Sequence, residues 1–449
     1  MNLRVAVSLA ALVWLHPLTA GGQQPPSPPP LAITHVTIID TETGSAQPDM
    51  TVLIRDGRIA RVERAGGAPP GDAPEVEAQG KFLIPGLWDM HVHLSYNTAS
   101  ALPVLLANGV TGVRDCGSDL EEIDRWRALI GAGVLAGPRI VRAGPMLNGQ
   151  SFNRYQMVTG NPEQARGIVR ALKQVGVDFI KIHRRTPRDA YFAIIDEAKK
   201  QGLTVVGHIP MTVKPEEASD AGQLIEHEET LFEGTFSAGL APGQLPDAIR
   251  RFPAEAADTL FARFVRNHTS LTSTLVAWRY TIRFAEDSAM SDPRMRYIAR
   301  SLKEALRARP MVSAQELPEL KRVIVEYQAM LGQLNRAGVM LLAGTDIPAG
   351  RFPGFALDDE LAVLVDAGLT PIQALRAATL NPAKVLKKES DFGSISAGKV
   401  ADLVLLDANP LDDIRNTQRI AAVVAGGKLL RRSALDSLLR AGEEMAGRN

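Results

Sequence analysis

The sequence contains a single cysteine, Cys116, among its 449 residues. One thiol has no partner within the chain, so an internal disulfide framework is excluded. Cys116 ends the run Gly109–Cys116, which is rich in valine and glycine, and we expect a buried thiol there. Disulfides therefore have no part in the predicted fold.

The chain also lacks an excess of charge of either sign. Its 50 Lys and Arg residues balance 50 Asp and Glu residues, with 45% apolar and 22% charged residues overall. This is an ordinary globular composition, and without a basic surplus nucleic acid is not expected as a partner. A length of 449 residues is enough for one large domain and a smaller one.

Long apolar runs are absent except near the amino terminus. Arg4 gives a short positive region, and Val5–Leu15 forms an apolar core that is too short to span a bilayer comfortably. Leu18–Ala20 offers a cleavage site. The pattern predicts a signal peptide at residues 1–20 and an exported protein, periplasmic or extracellular, without a stable membrane anchor. An uncleaved anchor is the less favoured alternative.

Strand-type patterns lie towards both ends of the chain and flank a long middle region. Ile33–Asp40 and Thr51–Val62 are rich in β-branched residues, and Ile420–Leu430 has the same character. One small β-sandwich assembled from both ends, with a barrel inserted, is the simplest arrangement. The predicted segments are a signal peptide (1–20), a Pro-rich linker (21–31), the first β-sandwich segment (32–84), the barrel (85–388), the second β-sandwich segment (389–435) and a C-terminal tail (436–449).

The middle region alternates strand-like runs with helical patterns such as Pro162–Val175 and Asp189–Gln201. Eight such runs predict an α/β fold, a (β/α)₈ TIM barrel. Ile282–Arg336 is too long for one barrel helix, and we expect an elaborated seventh helix that covers the barrel mouth. The eight runs are Gly86–His93, Gly109–Cys116, Arg139–Ala143, Phe179–His183, Thr204–His208, Gln223–His227, Ser270–Thr274 and Val339–Asp346.

Two histidines end the first barrel run, His91 and His93. In a strand they point to the same side and can share a metal ion, whereas on a helix they would diverge by about 200°. Active sites of such barrels lie at the carboxyl ends of the strands. Four of the eight histidines in the chain stand at the ends of the first, fifth and sixth predicted strands. The chemistry-bearing residues at these ends are His91, His93, Lys181, His208, His227 and Asp346.

With these residues in place, the chain resembles the metal-dependent amidohydrolase superfamily in its binuclear form with a carboxylated lysine. The resemblance covers nearly everything after the linker. Within the superfamily the chain is most similar to the imidazolonepropionase-like and Xaa-Pro-dipeptidase-like branch. The segments that carry the resemblance are Pro85–His93, Gly207–Pro210, Glu217–Gly222, Ile225–His227, Ala343–Asp346, Thr379–Ala383 and Ile395–Asp407.

The resemblance implies two divalent metal ions and a carbamate that CO₂ forms on Lys181. Zn²⁺ is the expected metal because the ligands are rich in imidazole. A free ammonium would be expelled from beside two dications, whereas a carbamate is an anion that can bridge them. The implied ligands are His91, His93 and Asp346 for the first ion, His208 and His227 for the second, and Lys181 for both.

The implied reaction is hydrolysis of an amide bond by a hydroxide held between the metals. Asp346 would take the proton from the attacking water and pass it to the leaving amine. The expected substrates are small molecules such as dipeptides or N-acyl amino acids, and a homo-oligomer is left open. His183, Arg184 and Tyr155 are expected to contact the substrate.

Other interpretations of the same residues stay open at this stage. An esterase or lactonase, a cyclic-amide hydrolase or mononuclear deaminase, and a catalytically inactive binding protein are alternatives on the same fold. His183 fits equally well as a loop histidine, and Arg114, Arg184 and Arg185 fit better as structural or solvated arginines. Glu228 and Glu229 follow His227 where many relatives have glycine, and the loop Gly144–Tyr155 lacks a Gly-Gly-His run. These departures concern substrate specificity and leave the implied ligands unchanged.

Overall fold

The structure is a computed structural model that describes residues 28–66, 71, 73–286, 288–308, 312–347 and 352–448. The predicted signal peptide and most of the predicted linker lie outside these residues. Within the described ranges, none of the helices is long and apolar enough to cross a membrane.

Strands are distributed along the described chain and precede most of the helices. In chain order they are β1 (Leu31–Ile39), β2 (Ala46–Arg55), β3 (Arg58–Arg64), β4 (Glu75–Glu77), β5 (Phe82–Pro85), β6 (Leu87–Val92), β7 (Val110–Asp115), β8 (Arg139–Arg142), β9 (Met146–Asn148), β10 (Gln156–Val158), β11 (Ile180–Ile182), β12 (Val205–Gly207), β13 (Leu224–Glu226), β14 (Ser270–Ser273), β15 (Met340–Ala343), β16 (Leu403–Leu406), β17 (Ile420–Ala425) and β18 (Lys428–Arg431).

Helices fill most of the connections between the central strands. They are α1 (Leu94–Asn97), α2 (Ala101–Ala107), α3 (Leu120–Gly131), α4 (Pro162–Gln174), α5 (Arg188–Lys200), α6 (Pro215–Asp220), α7 (Leu245–Arg250), α8 (Ala254–Arg266), α9 (Leu275–Ala285), α10 (Arg300–Ala308), α11 (Leu317–Arg336), α12 (Phe355–Asp366), α13 (Pro371–Ala377), α14 (Leu380–Val385) and α15 (Arg432–Arg448). Short 3₁₀ helices occur at Glu228–Leu231, Pro293–Tyr297 and Ile414–Gln418.

Strands from both ends of the chain share one sheet, in the order β18-β17-β16-β5-β1-β2-β3, with β4 also paired to β1. The ends join where β5 pairs antiparallel with β16, placing Leu403 opposite Pro85. Side chains of β1, including Ile33 and Val36, enter a hydrophobic cluster of this sheet together with Leu403. The two chain ends therefore assemble together, and a two-layer sandwich stays a prediction.

The central strands form two parallel sheets, β6-β7-β8 and β10-β9-β11-β12-β13-β14-β15. Each predicted run contains one observed strand, β6, β7, β8 and β11 to β15 in order. Between the sheets, Val92 and Ile347 form a parallel bridge. On the other side, the N–H of Asp178 donates to the carbonyl of Arg142 at 2.9 Å. The chain is thus α/β with the strand order expected for a TIM-type barrel.

Local sequence explains the surrounding helices. Asn161 caps α4 by accepting the N–H of Gln164, and Pro162 occupies the first turn, where its missing N–H costs nothing. Ala165, Val169 and Leu172 recur at helical spacing and are buried. The predicted helices Pro162–Val175 and Asp189–Gln201 accordingly match α4 and α5 to within a residue at each end.

Two segments differ from their sequence-based description. The predicted elaborated helix Ile282–Arg336 is divided among α9, α10 and α11, and Tyr327 of α11 stacks on Phe232 in the loop after β13, with ring centroids 6.0 Å apart. The segment 436–449, predicted as a tail, is helical to residue 448 within α15. This helix lies so close to α2 that a Cβ on Gly442 would be 2.3 Å from Val104.

The loop after the third predicted strand also contains unpredicted structure. β9 and β10 lie within or directly after Gly144–Tyr155, and β9 pairs with β11. These strands are only three residues long, too short for a periodic signal in the sequence.

Candidate metal centre

Two of the predicted ligands stand at the carboxyl end of β6. The Nε2 atoms of His91 and His93 are 3.3 Å apart. His91 Nδ1 donates to Glu226 Oε2 at 2.6 Å, and His93 Nδ1 donates to the carbonyl oxygen of Gly117 at 2.9 Å. Because these acceptors fix Nδ1 as the protonated nitrogen, the lone pair of each Nε2 is left for a metal ion.

Asp346 completes this group from the loop after β15. Its N–H donates to the carbonyl of His91 at 2.7 Å, and its Oδ1 lies 3.6 Å from His91 Nε2 and 3.4 Å from His93 Nε2. The close approach needs glycine at position 344, where a Cβ would be 2.7 Å from the His91 Cβ. One donor atom from each of these three ligands falls within a 4.8 Å cluster that could hold a metal ion.

The other three predicted ligands adjoin this group. Lys181 is 1% exposed, and its Nζ is 3.4 Å from His91 Nε2. The ring centroid of His227 is 4.4 Å from that of His91 and 4.6 Å from that of His208. His227 Nδ1 is 2.7 Å from Thr274 Oγ1, whereas His208 Nδ1 has no partner among the described residues. The structure thus brings all six predicted ligands into one cluster.

Two backbone features place the histidines after β12 and β13. Gly207, directly before His208, has φ of 142°, and a Cβ there would lie 2.2 Å from the carbonyl oxygen of Ile182. His227 has φ of 68°, a left-handed conformation that is uncommon for a residue with a side chain. Such strained positions concentrate at functional sites.

The electrostatics favour neutral imidazoles. Burial lowers the pKa of His91, His208 and His227 well below the ordinary value for histidine. The nearby Lys181 lowers the pKa of His91 further. Neutral histidine is the form that binds metal, so these side chains need not lose a proton when an ion binds.

A second cluster that could hold a metal combines His91 with Cys116 and Glu226. Burial raises the pKa of the Cys116 thiol to about 12, so the thiolate needed for coordination is disfavoured. Glu226 Oε2 already accepts the hydrogen bond from His91 Nδ1. The group of His91, His93 and Asp346 is therefore the better metal site.

Glu226 and Arg114 form a buried ion pair that the sequence analysis did not assign to the centre. Arg114 Nη2 donates to Glu226 Oε1 at 2.5 Å, and both side chains are at most 1% exposed. Strand alternation hides this role, because it directs Glu226 and the adjacent His227 to opposite faces. The left-handed backbone at His227 turns its ring, so that both side chains contact His91. Arg114 is thus a structural arginine.

Asp89 is another unassigned buried carboxyl group, two residues before His91. It accepts hydrogen bonds from the hydroxyl of Thr345 at 2.6 Å and from its N–H at 3.0 Å. Burial raises the pKa of Asp89 to about 7. These bonds connect β6 to the segment that carries Asp346. The sequence signal that could have identified Asp89 was its position within the segment Pro85–His93.

Two of the three predicted substrate contacts lie beside His208. The ring of His183 is 4.4 Å from that of His208, and its buried Nδ1 has no partner among the described residues. Burial lowers the pKa of His183 to about 3. Arg184 Nη1 donates to Glu233 Oε1 at 2.6 Å. The guanidinium of Arg184 is therefore already paired with a carboxylate.

Tyr155 lies on the side of His93. Its ring packs against Tyr96 at a centroid distance of 4.6 Å, and the Tyr96 ring is 6.0 Å from the His93 ring. Its hydroxyl accepts a hydrogen bond from Arg154 Nη2 at 2.9 Å. One aromatic ring thus separates Tyr155 from the nearest predicted ligand.

Comparison with known proteins identifies the family. The sequence profile of the amidohydrolase family matches residues 82–430, and the chain belongs to this family. The chain is 23% identical over 389 residues to adenine deaminase from Chelativorans sp. (strain BNC1), covering 84% of this chain but 54% of that protein. It is 26% identical over 383 residues to imidazolonepropionase from Pseudomonas paraeruginosa (strain DSM 24068 / PA7), covering 79% of this chain and 86% of that protein.

The chain is also similar to a solved structure from Bifidobacterium longum that is described as a candidate prolidase. The match covers 93% of this chain and 100% of the chain in that structure. The TM-score is 0.69 and the sequence identity 27%. The predicted membership of the amidohydrolase superfamily is therefore confirmed. The named relatives act on different substrates, so membership alone leaves the substrate of this chain undetermined.

Proposed function

We propose that this chain is a metal-dependent hydrolase that cleaves an amide bond of a dipeptide or an N-acyl amino acid. The observation that carries the proposal is the convergence of five buried or partly buried donor side chains and one buried lysine at the carboxyl ends of parallel strands. His91, His93 and Asp346 would hold one divalent ion and His208 and His227 a second. Zn²⁺ suits such imidazole-rich ligands.

The environment of Lys181 supports a carbamate bridge between the two ions. Its Nζ is buried, and the one hydrogen-bonding partner found for it in the described chain is His91 Nε2. A carbamate on Lys181 would supply negative charge beside two divalent ions. Reaction of the Lys181 amine with CO₂ would form an N–C bond, release a proton and leave a carbamate whose oxygens could be ligands for both ions.

The surrounding atoms also select the donor nitrogen of three of the four histidines. Nδ1 of His91, His93 and His227 is held by a protein acceptor or hydroxyl, so Nε2 would be the ligand atom in each. In His208 the buried Nδ1 has no partner in the described chain. The residues present therefore fit a pair of metal ions.

Bound divalent ions would supply a hydroxide nucleophile and polarise the scissile carbonyl. The Asp346 side chain is 25% exposed while the neighbouring His91 ring is fully buried, so Asp346 is the group that reaches towards the substrate. Its carboxylate would accept the proton of the attacking water and return it to the leaving amine. The products would be a carboxylic acid and an amine.

Arg184, His183 and Tyr155 are the proposed substrate contacts. Because Arg184 already pairs with Glu233, a substrate carboxylate would have to compete for the guanidinium. Glu229 lies nearby, accepts the indole N–H of Trp278 at 3.2 Å and is buried. Because the surroundings of Arg184 are acidic, a neutral or amino-bearing group of the substrate would fit beside Arg184 as well as an acidic group.

The test is hydrolysis by metal-loaded protein of a panel of dipeptides, N-acyl amino acids, adenine, esters and lactones, together with metal analysis. Amine release from dipeptides or N-acyl amino acids, with two metals per chain, is the expected result. One metal per chain and ammonia release from adenine would instead support a mononuclear deaminase. Turnover of esters or lactones alone would support an esterase on the same site.

We also propose that the parallel strands close into one (β/α)₈ barrel and that the strands from both ends form a small sandwich. The Val92–Ile347 bridge and the Asp178–Arg142 hydrogen bond support closure on the two sides. An experimental structure tests both points. An open gap between β6 and β15 would contradict the closed barrel.

Export remains a proposal on sequence grounds. The apolar segment Val5–Leu15 and the small residue Ala20 predict that the mature chain begins near Gly21. Amino-terminal sequencing of the protein from the periplasmic or secreted fraction tests this. A chain that still starts at Met1 and sediments with membranes would contradict it.

A further inference from the structure

We infer that Glu226, held by Arg114, is a positioning residue that fixes the His91 ring as a metal ligand. The inference rests on the proposed function, because it assigns His91 to a metal ion. Glu226 ends β13 and directly precedes His227. One peptide unit therefore connects the residue that orients His91, a ligand proposed for the first ion, to a ligand proposed for the second. Glu226 would touch neither metal nor substrate and would act through His91.

Both oxygens of the Glu226 carboxylate are used. Oε2 accepts the 2.6 Å hydrogen bond from His91 Nδ1. Oε1 accepts from Arg114 Nη2 at 2.5 Å and from Thr272 Oγ1 at 3.1 Å. The Thr272 hydroxyl in turn accepts from Arg114 Nη2 at 3.0 Å. A buried carboxylate with every partner in place has one orientation, and that orientation sets the plane of the His91 ring.

Arg114 holds both sides of this contact. Besides binding Glu226, its Nε donates to the carbonyl oxygen of Met90 at 2.8 Å. Met90 directly precedes His91, so one guanidinium fixes the backbone of the ligand and the carboxylate that orients its ring. Arg114 comes from β7, the neighbour of β6 in the sheet.

The two histidines of β6 differ in this respect. His93 Nδ1 donates to a backbone carbonyl, an uncharged dipole, whereas His91 Nδ1 donates to a carboxylate. A carboxylate acceptor raises the basicity of the opposite nitrogen and favours the tautomer with its lone pair on Nε2. Glu226 should therefore make His91 the stronger ligand of the pair.

The test compares Glu226→Gln with the parent protein and with Asp402→Asn. Asp402 is a matched control because it is also largely buried and, directly before β16, pairs at 2.9 Å with an arginine, Arg139 of β8. In Glu226→Gln the amide cannot accept from both His91 and Arg114 as the carboxylate does. Zn²⁺ affinity is measured by competition with a chelator, and unfolding of the metal-free proteins by thermal melting.

We expect Glu226→Gln to weaken binding of one of the two Zn²⁺ ions by about 10–100-fold and Asp402→Asn to leave both affinities unchanged. A loss of thermal stability without any change in Zn²⁺ affinity would show a merely structural role and overturn the inference. Parental affinity for both ions in a folded Glu226→Gln protein would overturn it as well.

A second readout does not depend on metal. With ¹⁵N-labelled histidine, the proton on His91 Nδ1 of the metal-free parent should resonate far downfield because its acceptor is a carboxylate. Glu226→Gln should move this signal upfield, and a histidine variant, His91→Asn, assigns it. An unchanged signal would contradict the contact. If the parent binds no Zn²⁺, the proposed function is wrong, and this resonance still decides whether Glu226 sets the ring.

Arg114→Met leaves the buried Glu226 carboxylate unpaired and is expected to destabilise the fold. The double variant Arg114→Met/Glu226→Gln removes both charges and avoids this problem. If Arg114 acts through Glu226, the double variant should bind Zn²⁺ no more weakly than Glu226→Gln. Additive losses would show that Arg114 acts on the centre independently and would contradict the assigned pairing.

Discussion

The two halves of the candidate metal centre differ in how firmly their histidines are held. At the end of β6, both His91 and His93 donate from Nδ1 to a buried acceptor, so their rings are oriented before an ion binds. After β12 and β13, His227 contacts the hydroxyl of Thr274 and His208 Nδ1 has no partner in the described chain. The comparison indicates that strand packing preorganises the first half, whereas the second is completed by what binds there.

Two buried carboxyl groups, Glu226 and Glu360, also differ in their partners. Below the first half, Glu226 is neutralised by the guanidinium of Arg114. In contrast, Glu360 receives hydrogen bonds from the hydroxyl of Ser273 in β14 and, at 2.7 Å, from the N–H of Val276, with no basic side chain of the described residues bonded to it. Burial raises the pKa of Glu360 to about 8. Because Nδ1 of both His91 and His93 has an acceptor whereas Nδ1 of His208 has no partner in the described chain, we expect the first ion to bind more tightly than the second.

The largest effect is expected from Lys181→Ala, which removes the group between the two halves. Without the carbamate, at least one metal and nearly all activity should be lost while the chain stays folded. Millimolar acetate or propionate with divalent metal should restore part of the activity by occupying the vacated space. Metal analysis, circular dichroism and turnover measure these outcomes.

Carboxylate without added metal should not rescue Lys181→Ala. Asp346→Asn is a useful control, because a small carboxylate cannot replace its proton transfer. If Lys181→Ala keeps two metals and parental activity, the lysine is an ordinary side chain and the carbamate bridge is wrong.

The next effect concerns the first half. Asp346→Asn should bind metal nearly normally, because asparagine offers an oxygen and tolerates the left-handed backbone of Asp346, whose φ is 49°. Turnover should fall by about 10²–10⁴-fold, the usual contribution of general acid–base catalysis. Steady-state kinetics and metal content are the measurements. A kcat reduced by less than about tenfold would place the proton transfer on another group.

Thr274→Val tests the weaker support of the second half. Valine keeps the shape of threonine but removes the hydroxyl bonded to His227 Nδ1, so affinity for one ion should fall by about 10–100-fold. Thr281→Val is the matched control: its hydroxyl bonds the carbonyl of Ala277 within α9 at 2.9 Å and does not contact the centre. Equal Zn²⁺ affinities for the two variants would show that Thr274 does not orient His227.

The smallest effect is a pH-dependent gain in stability for Glu360→Gln in the metal-free protein. The carboxyl of Glu360 has a pKa of about 8 when folded and an ordinary value when unfolded. Between these values the folded state binds more protons, so the parent loses stability as pH rises towards 8. Glutamine does not titrate. Urea unfolding at pH 5 and pH 8 should show the variant gaining on the parent at the higher pH.

A difference between Glu360→Gln and the parent that is the same at pH 5 and pH 8 would contradict this expectation. The free energy of unfolding must be compared for metal-free proteins, because bound metal stabilises the folded state of each variant to a different extent.

Much of the fold could be predicted because it depends on local pattern. All eight predicted strand runs contain a parallel strand, and α4 and α5 follow their caps and apolar spacing. The C-terminal helix α15 was missed, because its buried positions are few, namely Leu435, Gly442 and Ala446, and form no apolar stripe in the sequence. The small residue Gly442 is explained only by its close contact with α2. Short strands such as β9 carry no periodic signal at all.

The sequence by itself determined which residues could serve as ligands, because parallel strands bring their carboxyl ends to one side and His91, Lys181, His208, His227 and Asp346 all stand at such ends. Tertiary structure alone decided how those ligands are held. The left-handed backbone at His227 breaks strand alternation, so that His227 reaches the His91 ring although Glu226 before it also contacts His91, a contact across 135 residues. No local pattern encodes such a contact, because it depends on the position of one strand relative to another.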